Sequence, residues 1–354
     1  MAGGCAMIWS PIMSSPDEID RLIRELESLN TGKQAAERLV EYGPSAVEPL
    51  RRFLLAGIPR KIFQPRFWAV EALARLGAKE VLLEYLFTIR EIFDPEDRFG
   101  EEAVESAAAR FLSAWPDEDV YQSLLKLSER RMLLGLIDAL AEFGRPEAIP
   151  YFERALEDDF YRSAAEEAFL KMGPASCGAL ASSAVTPQPS FVMETQSSLH
   201  RRRSALRLLY KIGTPPEYWQ ALRELTHDPD EELFVSASKL GTRIAPKEDR
   251  AMIARRVMKL LSSAPWYLQE DIEEILVLLG ADAAADIEEE ISRRMKQPEE
   301  ARAVDIRLRS LIRVWRRLTP SPIQNCDLTS VTWSQSKVII QLSAIQTTKR
   351  KPAA

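Results

Sequence analysis

The chain has 354 residues, of which 46% are hydrophobic and 28% are charged, a balance typical of a globular protein with a packed core. Its 47 Lys and Arg residues against 53 Asp and Glu residues give a net charge of −6, which disfavours a protein that coats nucleic acid broadly, since such binding neutralises phosphates. Glycine is sparse at 14 residues, and asparagine occurs only at Asn30 and Asn325, which disfavours an all-β protein with many tight turns.

The residues that usually build metal and redox sites are few and scattered. Cys5, Cys177 and Cys326 are too widely spaced for a CxxC metal site or a disulfide framework, and His200 and His227 are far apart. We therefore expect no metal, no cofactor and a reducing, cytoplasmic compartment. The GxGxxG, P-loop and GxSxG motifs are absent, and no stretch of 18 apolar residues is free of charge. These absences disfavour an enzyme and a membrane-spanning protein.

The first residues of the chain are mildly apolar but lack a basic start and a sustained apolar core, so they predict no signal peptide. We expect residues 1–14 to form a flexible leader, unless the start codon is misassigned. The run Ser15-Pro16-Asp17-Glu18 places a capping residue, a proline and two acids in order, which is the chemistry of a helix start. The helical part of the chain is therefore expected to begin at residue 15.

A hydrophobic residue followed by glycine recurs after successive helical runs. The glycines are Gly43, Gly77, Gly144, Gly173, Gly213, Gly241 and Gly280. Their spacings run from 28 to 40 residues once the gap of 67 is divided at Trp115. Glycine accepts the left-handed conformation that ends a helix, and the prolines after several of these glycines suit the first turn of the next helix. Each junction predicts a tight helix–turn–helix, with Gly77, Gly144, Gly173 and Gly213 as structural residues of the repeat.

The helix before the glycine shares a second register in several repeats. Arg66, Arg162 and Arg202 each stand eleven residues before a glycine, about three helical turns. Small or apolar residues follow each arginine at positions +3, +6 and +7, which lie close together around a helix and predict one buried stripe. The recurring arginine is explained either by an ion-pair ladder with acids of the adjacent turn or by contact with a ligand.

Paired helices that end in R-x-x-A-x-x-A-L-x-x-x-G and continue with a Pro/Ala/Glu turn resemble HEAT-like repeats, in particular the short kind named after phycobilisome lyases. The resemblance covers residues 15–318, although the repeats at Trp115 and Gly241 are degenerate and only three of eight repeats carry the arginine. It implies an all-α fold, a right-handed α-solenoid of eight or nine antiparallel helix pairs. In this family the glycine-terminated helix lines the concave side, which would then be the binding surface.

One junction, residues 58–68, combines bases and aromatic residues where its counterparts are acidic. Aromatic residues and arginine dominate interface hot spots, so this junction is a candidate binding surface. On a helix with 100° per residue, Phe67 points about 160° away from the buried stripe, which favours an exposed anchor. The alternative is that Phe67 and Trp68 pack against the neighbouring repeat. The candidate binding residues are Arg60, Lys61, Phe63 and Phe67.

The last predicted helix, residues 301–318, is basic on one face and apolar on the other, where Val304 begins the apolar stripe. Four arginines fall within about 60° of each other on the basic face. They are Arg302, Arg309, Arg313 and Arg316. Such a stripe would grip an acidic partner or a phosphate backbone. Alternatively, it is the solvated outer face that a terminal capping repeat requires.

Three further segments depart from the repeat. Residues 181–199 are rich in Ser, Thr, Pro and Gln, so we expect a mobile loop there. A small basic spot is expected at Arg201, Arg202, Arg203 and Arg207. Residues 319–354 lose the helical period and are expected to be poorly ordered or to pair as a strand with a partner's sheet edge. An aberrant reading frame is a third explanation of that abrupt change.

The leading functional prediction is a non-enzymatic scaffold or adaptor that binds another protein along the concave face. The resemblance alone implies a first alternative, a chaperone-like lyase subunit that attaches a bilin chromophore. HEAT-like DNA glycosylases suggest a second alternative, nucleic-acid binding, which the acidic net charge disfavours. A further HEAT-like family, deoxyhypusine hydroxylase, carries His-Glu motifs in its repeats, and no His-Glu dipeptide occurs here, so that function is rejected.

Overall fold

The structure, a computed structural model, describes residues 16–188 and 193–319. These residues form α-helices joined by loops and short 3-10 turns, and no β-strand occurs among them. The predicted all-α class is therefore confirmed. The predicted leader, residues 1–14, and the predicted tail, residues 319–354 apart from its first residue, lie outside the described residues.

The chain divides into two compact units, Met1–Gly213 and Thr214–Ala354. The described residues of the first unit form twelve α-helices. In chain order they are α1 (Pro16–Glu25), α2 (Gly32–Glu41), α3 (Val47–Ala56), α4 (Gln64–Arg75), α5 (Lys79–Phe87), α6 (Pro95–Leu112), α7 (Glu118–Ser128), α8 (Leu134–Phe143), α9 (Ile149–Leu156), α10 (Arg162–Met172), α11 (Cys177–Val185) and α12 (Gln196–Ile212). We call the odd-numbered helices of this unit first helices and the even-numbered ones second helices.

The helices of the first unit form two rows. The second helices pack in sequence from α2 to α12, and the first helices α1, α3, α5 and α7 pack in sequence beside them. Each first helix also packs against the second helix that follows it. A single pair cannot bury its apolar face alone, so stacking of neighbouring pairs creates the core. The handedness and the total of eight or nine pairs stay predictions.

The predicted stripe on the second helices is buried. In α4, Ala69, Ala72 and Leu73 have at most 1% of their surface exposed, and the matching residues of α10 and α12 are buried as well. The matching residues are Ala165, Ala168, Phe169, Ala205, Leu208 and Leu209. Alanine at the first of these positions leaves room for the neighbouring second helix to approach. The register read from the sequence is therefore the packing register of the second row.

Two kinds of connection alternate in the first unit. We call the connections from a second helix to the next first helix the glycine turns. At Gly144 the backbone is left-handed, with φ 62° and ψ 25°, and φ is also positive at Gly43, Gly77, Gly173 and Gly213. The turn at Trp115 lacks such a glycine, and α6 ends there by a backbone hydrogen bond from Trp115 to Leu112.

The opposite connections, from a first helix to its second helix, we call the rim loops. They are residues 26–31, 57–63, 88–94, 129–133, 157–161 and 186–195, of which 189–192 are not described. Side chains begin the helices that follow two of them. Asp94 accepts hydrogen bonds from the backbone N–H groups of Glu96 and Asp97 at the start of α6, and Thr195 accepts from Ser198 at the start of α12. These caps satisfy N–H groups that have no partner within the helix.

The second unit forms seven α-helices in its described residues. In chain order they are α13 (Trp219–Leu222), α14 (Glu231–Ile244), α15 (Lys247–Leu260), α16 (Trp266–Leu279), α17 (Ala281–Met295), α18 (Glu299–Val304) and α19 (Ile306–Leu318). Helices α14, α16 and α19 pack in sequence, and α15 and α17 pack beside them. Gly280, the predicted helix stop between α16 and α17, has a positive φ of 55°.

Two predictions for the second unit are wrong. Gly241 does not end a helix, because α14 continues to Ile244. A Cβ at Gly241 would lie 2.6 Å from Ile253 Cδ1 and 2.8 Å from the Trp219 ring, so close packing is what favours glycine there. The predicted helix over residues 301–318 is broken at Asp305, whose carboxylate accepts from the N–H of Leu308 and begins α19.

Candidate functional site

The large apolar side chains that the first unit leaves in water collect at the rim loops. Among its described residues, those within the rim loops are Leu29, Ile58, Ile62, Ile89, Phe93, Phe160 and Met193. Phe87 and Phe99 flank the rim loop 88–94, and Leu170 lies apart on α10. The described residues of the glycine turns carry no exposed large apolar side chain. One edge of the unit is therefore apolar and the opposite connections are not.

Five of these side chains lie on or directly beside two rim loops, 57–63 and 88–94, and we call them the apolar rim patch. They are Ile58, Ile62, Ile89, Phe93 and Phe99. Phe93 and Ile89 are the most exposed, at 88% and 86% of their surface. Isolated surface apolar residues are ordinary, but several on adjoining loops mark an interaction site.

The first turns of α6 hold both loops of the apolar rim patch. The Lys61 backbone N–H donates to Asp97 Oδ1 at 2.7 Å, and the Lys61 ammonium pairs with Glu96 at 3.2 Å. The Arg98 guanidinium donates to the carbonyl of Ile92 at 2.8 Å. Gly100 lets the first loop approach, because a Cβ there would lie 2.6 Å from the Arg60 carbonyl. The patch therefore sits on loops with defined hydrogen bonds.

A buried ion pair lies beneath these loops. Arg66 of α4 donates from Nε and Nη2 to the two carboxylate oxygens of Glu101 of α6, at 3.0 and 2.8 Å. The hydroxyl of Tyr85 donates to Glu101 at 2.8 Å. Arg66 and Glu101 are 5% and 2% exposed. Removing one partner of such a pair leaves an uncompensated charge in the interior, so this contact fixes α4 against α6.

Arg90 connects the rim loop 88–94 to the same carboxylate. Its guanidinium lies 3.5 Å from Glu101 and 4.6 Å above the centre of the Tyr85 ring. Its Nη1 also donates to the Tyr85 carbonyl at 3.3 Å. Arg90 therefore fixes the loop that carries Ile89 and Phe93 to both Glu101 and Tyr85.

A second buried acid, Glu105, stands one turn further along α6. Arg131 from the rim loop 129–133 donates to its carboxylate. Burial raises the pKa of Glu105 to about 7; Arg131 acts against this shift and the nearby Glu101 adds to it. A carboxylate in a poorly solvated site holds its proton to higher pH because ionisation there lacks hydration.

The recurring arginine has one contact in common across its three repeats. Arg66 donates to the carbonyl of Gly57 at 2.9 Å, Arg162 to that of Leu156 at 3.0 Å, and Arg202 to that of Ala184 at 2.8 Å. Each acceptor belongs to the C-terminal end of the preceding first helix, where carbonyls lack partners and a cation is favourable.

The acids that pair with the recurring arginines are not in register. They are Glu101, Asp159 and Glu194, which stand at unrelated offsets from Arg66, Arg162 and Arg202 respectively. The three arginines therefore share a capping role at the ends of the first helices. Their ion pairs do not repeat in register, so they do not form a regular ladder. Arg162 also lies 3.0 Å from His200 Nδ1.

The predicted candidates of residues 58–68 separate into two groups. Arg60 and Lys61 are exposed beside the apolar rim patch, whereas Phe63 and Phe67 are half-buried. Phe67 is thus no freely exposed anchor. Trp68 packs on Gly32 of α2, so closely that a Cβ there would overlap its ring, as the packing alternative proposed.

The predicted arginine stripe is not a single surface. Arg302 lies on α18, while Arg309, Arg313 and Arg316 lie on α19, because Asp305 interrupts the helix. Arg313 pairs with Glu273 and Arg309 donates to the carbonyl of Ala303. Arg316 is exposed. Val304, predicted on the apolar face, is exposed, and the buried apolar face of α19 consists of Leu308, Leu311 and Val314.

The basic spot after residue 200 is also absent as a free surface. Arg201 is buried and pairs with Glu157 at 2.8 Å, and Arg202 is buried and pairs with Glu194 at 2.5 Å. Arg207 pairs with Glu166 at 3.3 Å.

The predicted loop 181–199 is narrower than expected, because α11 extends to Val185 and α12 begins at Gln196. Its described ends are joined, since the N–H of Gln188 donates to the Ser198 hydroxyl at 2.9 Å.

Sequence reasoning missed three of the five residues of the apolar rim patch, Ile89, Phe93 and Phe99, and included Ile58 and Ile62 only as part of the junction 58–68. Ile89 and Phe93 stand between the end of α5 and the Asp94 cap, outside any helical period. Apolar residues placed between a helix end and a capping aspartate are a usable signal, since a loop rarely buries them. The sequence gives a weaker signal for Glu101 and Glu105, which are two acids one helical turn apart in an alanine-rich helix.

In the second unit, Trp266 and Tyr267 are exposed at the start of α16, with ring centroids 6.0 Å apart and perpendicular planes. Within the described part of the chain, no group of three or more His, Cys, Asp or Glu residues is placed to hold a metal ion. In that same part, no helix is both long and apolar enough to cross a membrane.

Comparisons with known proteins do not assign the chain to a family. No protein-family model matches the chain, and no curated protein matches it significantly. Among solved structures, one match is the complex of CpcE and CpcF of phycocyanin lyase from Nostoc sp. PCC7120. It shares 16% sequence identity and covers 90% of this chain and 100% of that chain, with a TM-score of 0.28. A similarity this distant assigns no function.

Proposed function

We propose that this chain is a non-catalytic protein-interaction module whose partner binds the apolar rim patch of the first unit. The observation that carries the proposal is the one-sided distribution of exposed apolar side chains, which occupy the rim loops and are absent from the described glycine turns. Packing and solubility alone give no reason for that asymmetry, since both kinds of connection face water. The sequence-based expectation placed the partner on the concave side; we place it on the rim.

The size of the patch supports a protein partner. Two phenylalanines and three isoleucines at these exposures leave on the order of 600 Å² of apolar surface in water, which reaches the upper end for the largest patch of a typical monomer. It approaches the ~800 Å² that each side of a standard protein interface buries. A partner surface of matching size with an apolar centre would remove it from water.

The anchoring of the patch supports tight binding. The loops of the apolar rim patch are tied to α6 through Lys61, Arg90 and Arg98, so little conformational freedom is left to lose on docking. Preorganisation of this kind raises affinity because it lowers the entropic cost of association. Arg60, exposed at the edge of the patch, is suited to a carboxylate on the rim of the partner surface.

The test compares capture by matched variants of the full chain. Phe93→Ser together with Ile89→Ser removes the two most exposed side chains of the patch. Leu170→Ser removes an exposed apolar side chain on α10, away from the patch, and serves as the matched control. Each tagged variant is incubated with native lysate at moderate salt, and bound proteins are quantified by mass spectrometry.

The proposal expects a partner that the unmodified chain and the Leu170 variant retain equally and that the double variant loses at least tenfold. Equal capture by all three variants would overturn it. Sedimentation of the purified chain identifies the case in which the occupant is a second copy, because the double variant would then shift from dimer to monomer. Ultraviolet absorbance of the eluate at 260 nm would reveal nucleic acid in place of protein.

A further inference from the structure

Exposed apolar side chains collect at one end of the second unit as well. Among its described residues, the large apolar side chains left in water are Trp266, Tyr267, Leu278, Val304 and Ile306. All of these except Leu278 lie at the connections from α15 to α16 and from α17 to α19, and we call those four the aromatic patch. Leu278 lies apart, in the last turn of α16. The aromatic patch and the apolar rim patch therefore belong to different units.

Direct contacts place the two connections of the aromatic patch side by side. The Arg307 guanidinium, in the first turn of α19, donates to the Lys259 carbonyl at the end of α15. Further along, Arg313 of α19 pairs with Glu273 of α16, and each is the eighth residue of its helix. Together these contacts show that α16 and α19 run parallel and start at the same end. The starts of the two helices, each with residues of the aromatic patch, therefore adjoin.

Side chains hold the segment between α18 and α19 in place. Asp305 pairs with Arg294 of α17 at 2.6 Å and accepts a hydrogen bond from the Leu308 N–H at 3.0 Å. Arg309 donates to the carbonyl of Ala303. The two apolar residues of the aromatic patch that stand on either side of Asp305 are therefore presented by a segment with defined contacts. Such preorganisation lowers the entropic cost of association.

Charged side chains of both signs flank the aromatic patch. Those without an ion-pair partner in the described part of the chain include the exposed acids Glu270, Glu299 and Glu300 and the bases Lys259, Lys296 and Arg302. A partner surface of a single sign would be repelled by half of these groups. A second copy of the same surface, turned about a two-fold axis, instead sets its acids against these bases. The charge pattern is therefore complementary to itself.

We propose that two copies of this chain associate about a two-fold axis through the aromatic patch. The four side chains leave on the order of 500 Å² of apolar surface in water on each copy, so the contact would bury about 1,000 Å² in total. This area is the lower limit for a specific interface, which predicts a weak dimer. Trp and Tyr are the side chains enriched at the centres of such contacts. The proposal does not depend on whether the apolar rim patch binds a partner.

Sedimentation velocity of the full chain tests the proposal at concentrations from roughly 1 to 200 µM, a range suited to an interface of this size. Trp266→Ser removes the most exposed side chain of the aromatic patch, which is 85% exposed. Leu278→Ser removes an exposed apolar side chain at the other end of the same helix and is the matched control. Circular dichroism of both variants checks that the fold is retained.

We expect the unmodified chain and the Leu278 variant to pass from one copy to two across this range and to stop at two. Trp266→Ser should raise the dissociation constant about tenfold or more, and Val304→Ser on the adjoining connection should raise it as well. The double variant Ile89→Ser with Phe93→Ser should still dimerise, which separates this surface from the apolar rim patch. A monomer at every concentration, equal weakening by the Trp266 and Leu278 variants, loss of the dimer in the double variant, or growth beyond two copies would overturn the proposal.

Discussion

The glycine turns and the rim loops of the first unit join the same helices in alternation, yet they are built differently. Glycine turns are short, and their conformation is set by a left-handed residue such as Gly144. Rim loops are held by side chains, such as Arg66 on the Gly57 carbonyl and Asp94 on the first turn of α6. Large apolar side chains are left in water on the rim loops and not on the described glycine turns.

This difference shows how a repeat separates folding from binding. A turn whose shape depends on one glycine is fixed by its backbone, and the described glycine turns expose no large apolar side chain. A loop whose shape depends on buried arginines and acids below it is free to present other side chains above. We expect changes beneath the rim to cost stability, and changes on top of it to cost only binding.

The largest effect is expected from the ion pair beneath the rim. Arg66→Ala should lower the free energy of unfolding by about 3 kcal/mol, the lower end for a broken buried pair, because Arg90 remains 3.5 Å from Glu101. Urea titration followed by circular dichroism measures this loss. Arg60→Ala, at an exposed position of the rim loop that precedes α4, is the matched control and should change stability by less than about 0.5 kcal/mol. Equal losses of stability in the two variants would contradict the claim that residues beneath the rim hold the fold and exposed rim residues do not.

The next effect is expected from Glu105 and depends on pH. The folded chain keeps this carboxyl protonated up to a pKa of about 7, whereas the unfolded chain releases the proton near 4.5. Stability should therefore fall as pH rises between these values and stay level above them. Glu105→Gln should match the unmodified chain near pH 4.5 and exceed it by up to about 3 kcal/mol at pH 8. Thermal unfolding across this range checks the divergence, and parallel curves would contradict it.

A smaller effect is expected at a glycine turn. Gly144→Ala should cost about 1–2 kcal/mol, because alanine is strained in the left-handed region while the space around Gly144 is open. Gly144→Asn is the matched control and should cost clearly less, since asparagine tolerates that region. In the rim loop, Gly57 has φ −68° and needs no such freedom. Chemical denaturation of both variants separates backbone strain from lost packing.

The smallest effect on stability is expected on top of the rim. Phe93→Ser should change the free energy of unfolding by less than about 0.5 kcal/mol, because its side chain is 88% exposed. Phe169→Ala, at a fully buried position of α10, should cost about 3–5 kcal/mol. A Phe93 variant as damaged as the Phe169 variant would show that the rim is part of the core.

The fold was largely predictable because its signals are local. The +3, +6 and +7 stripe follows from helical geometry, and left-handed glycines follow from steric limits on other residues, as at Gly77. One error arose where a tertiary contact decided the outcome, because Gly241 is set by Trp219 and Ile253. The other was a local signal outside the hydrophobic period, because Asp305 ends one helix by capping the next. Neither contact is visible in the hydrophobic period.

The candidate site was only half predictable. Arg60 and Lys61 stood out by composition, whereas Ile89 and Phe93 belong to the next repeat and join them only through α6. The basic stripes failed as sites because arginines find acids far away in sequence, as Arg201 does at Glu157. Charge patterns along one helix do not show which charges a neighbouring helix neutralises.

Site-specific photo-crosslinking in cells tests the central claim most directly, because it compares the two ends of one helix. Benzoylphenylalanine is placed at Phe93, in the rim loop before α6, or at Ala114, exposed in the turn after α6. The account predicts a discrete protein adduct from position 93 and none from position 114. Adducts from position 114 alone, or of equal yield from both positions, would contradict binding at the apolar rim patch.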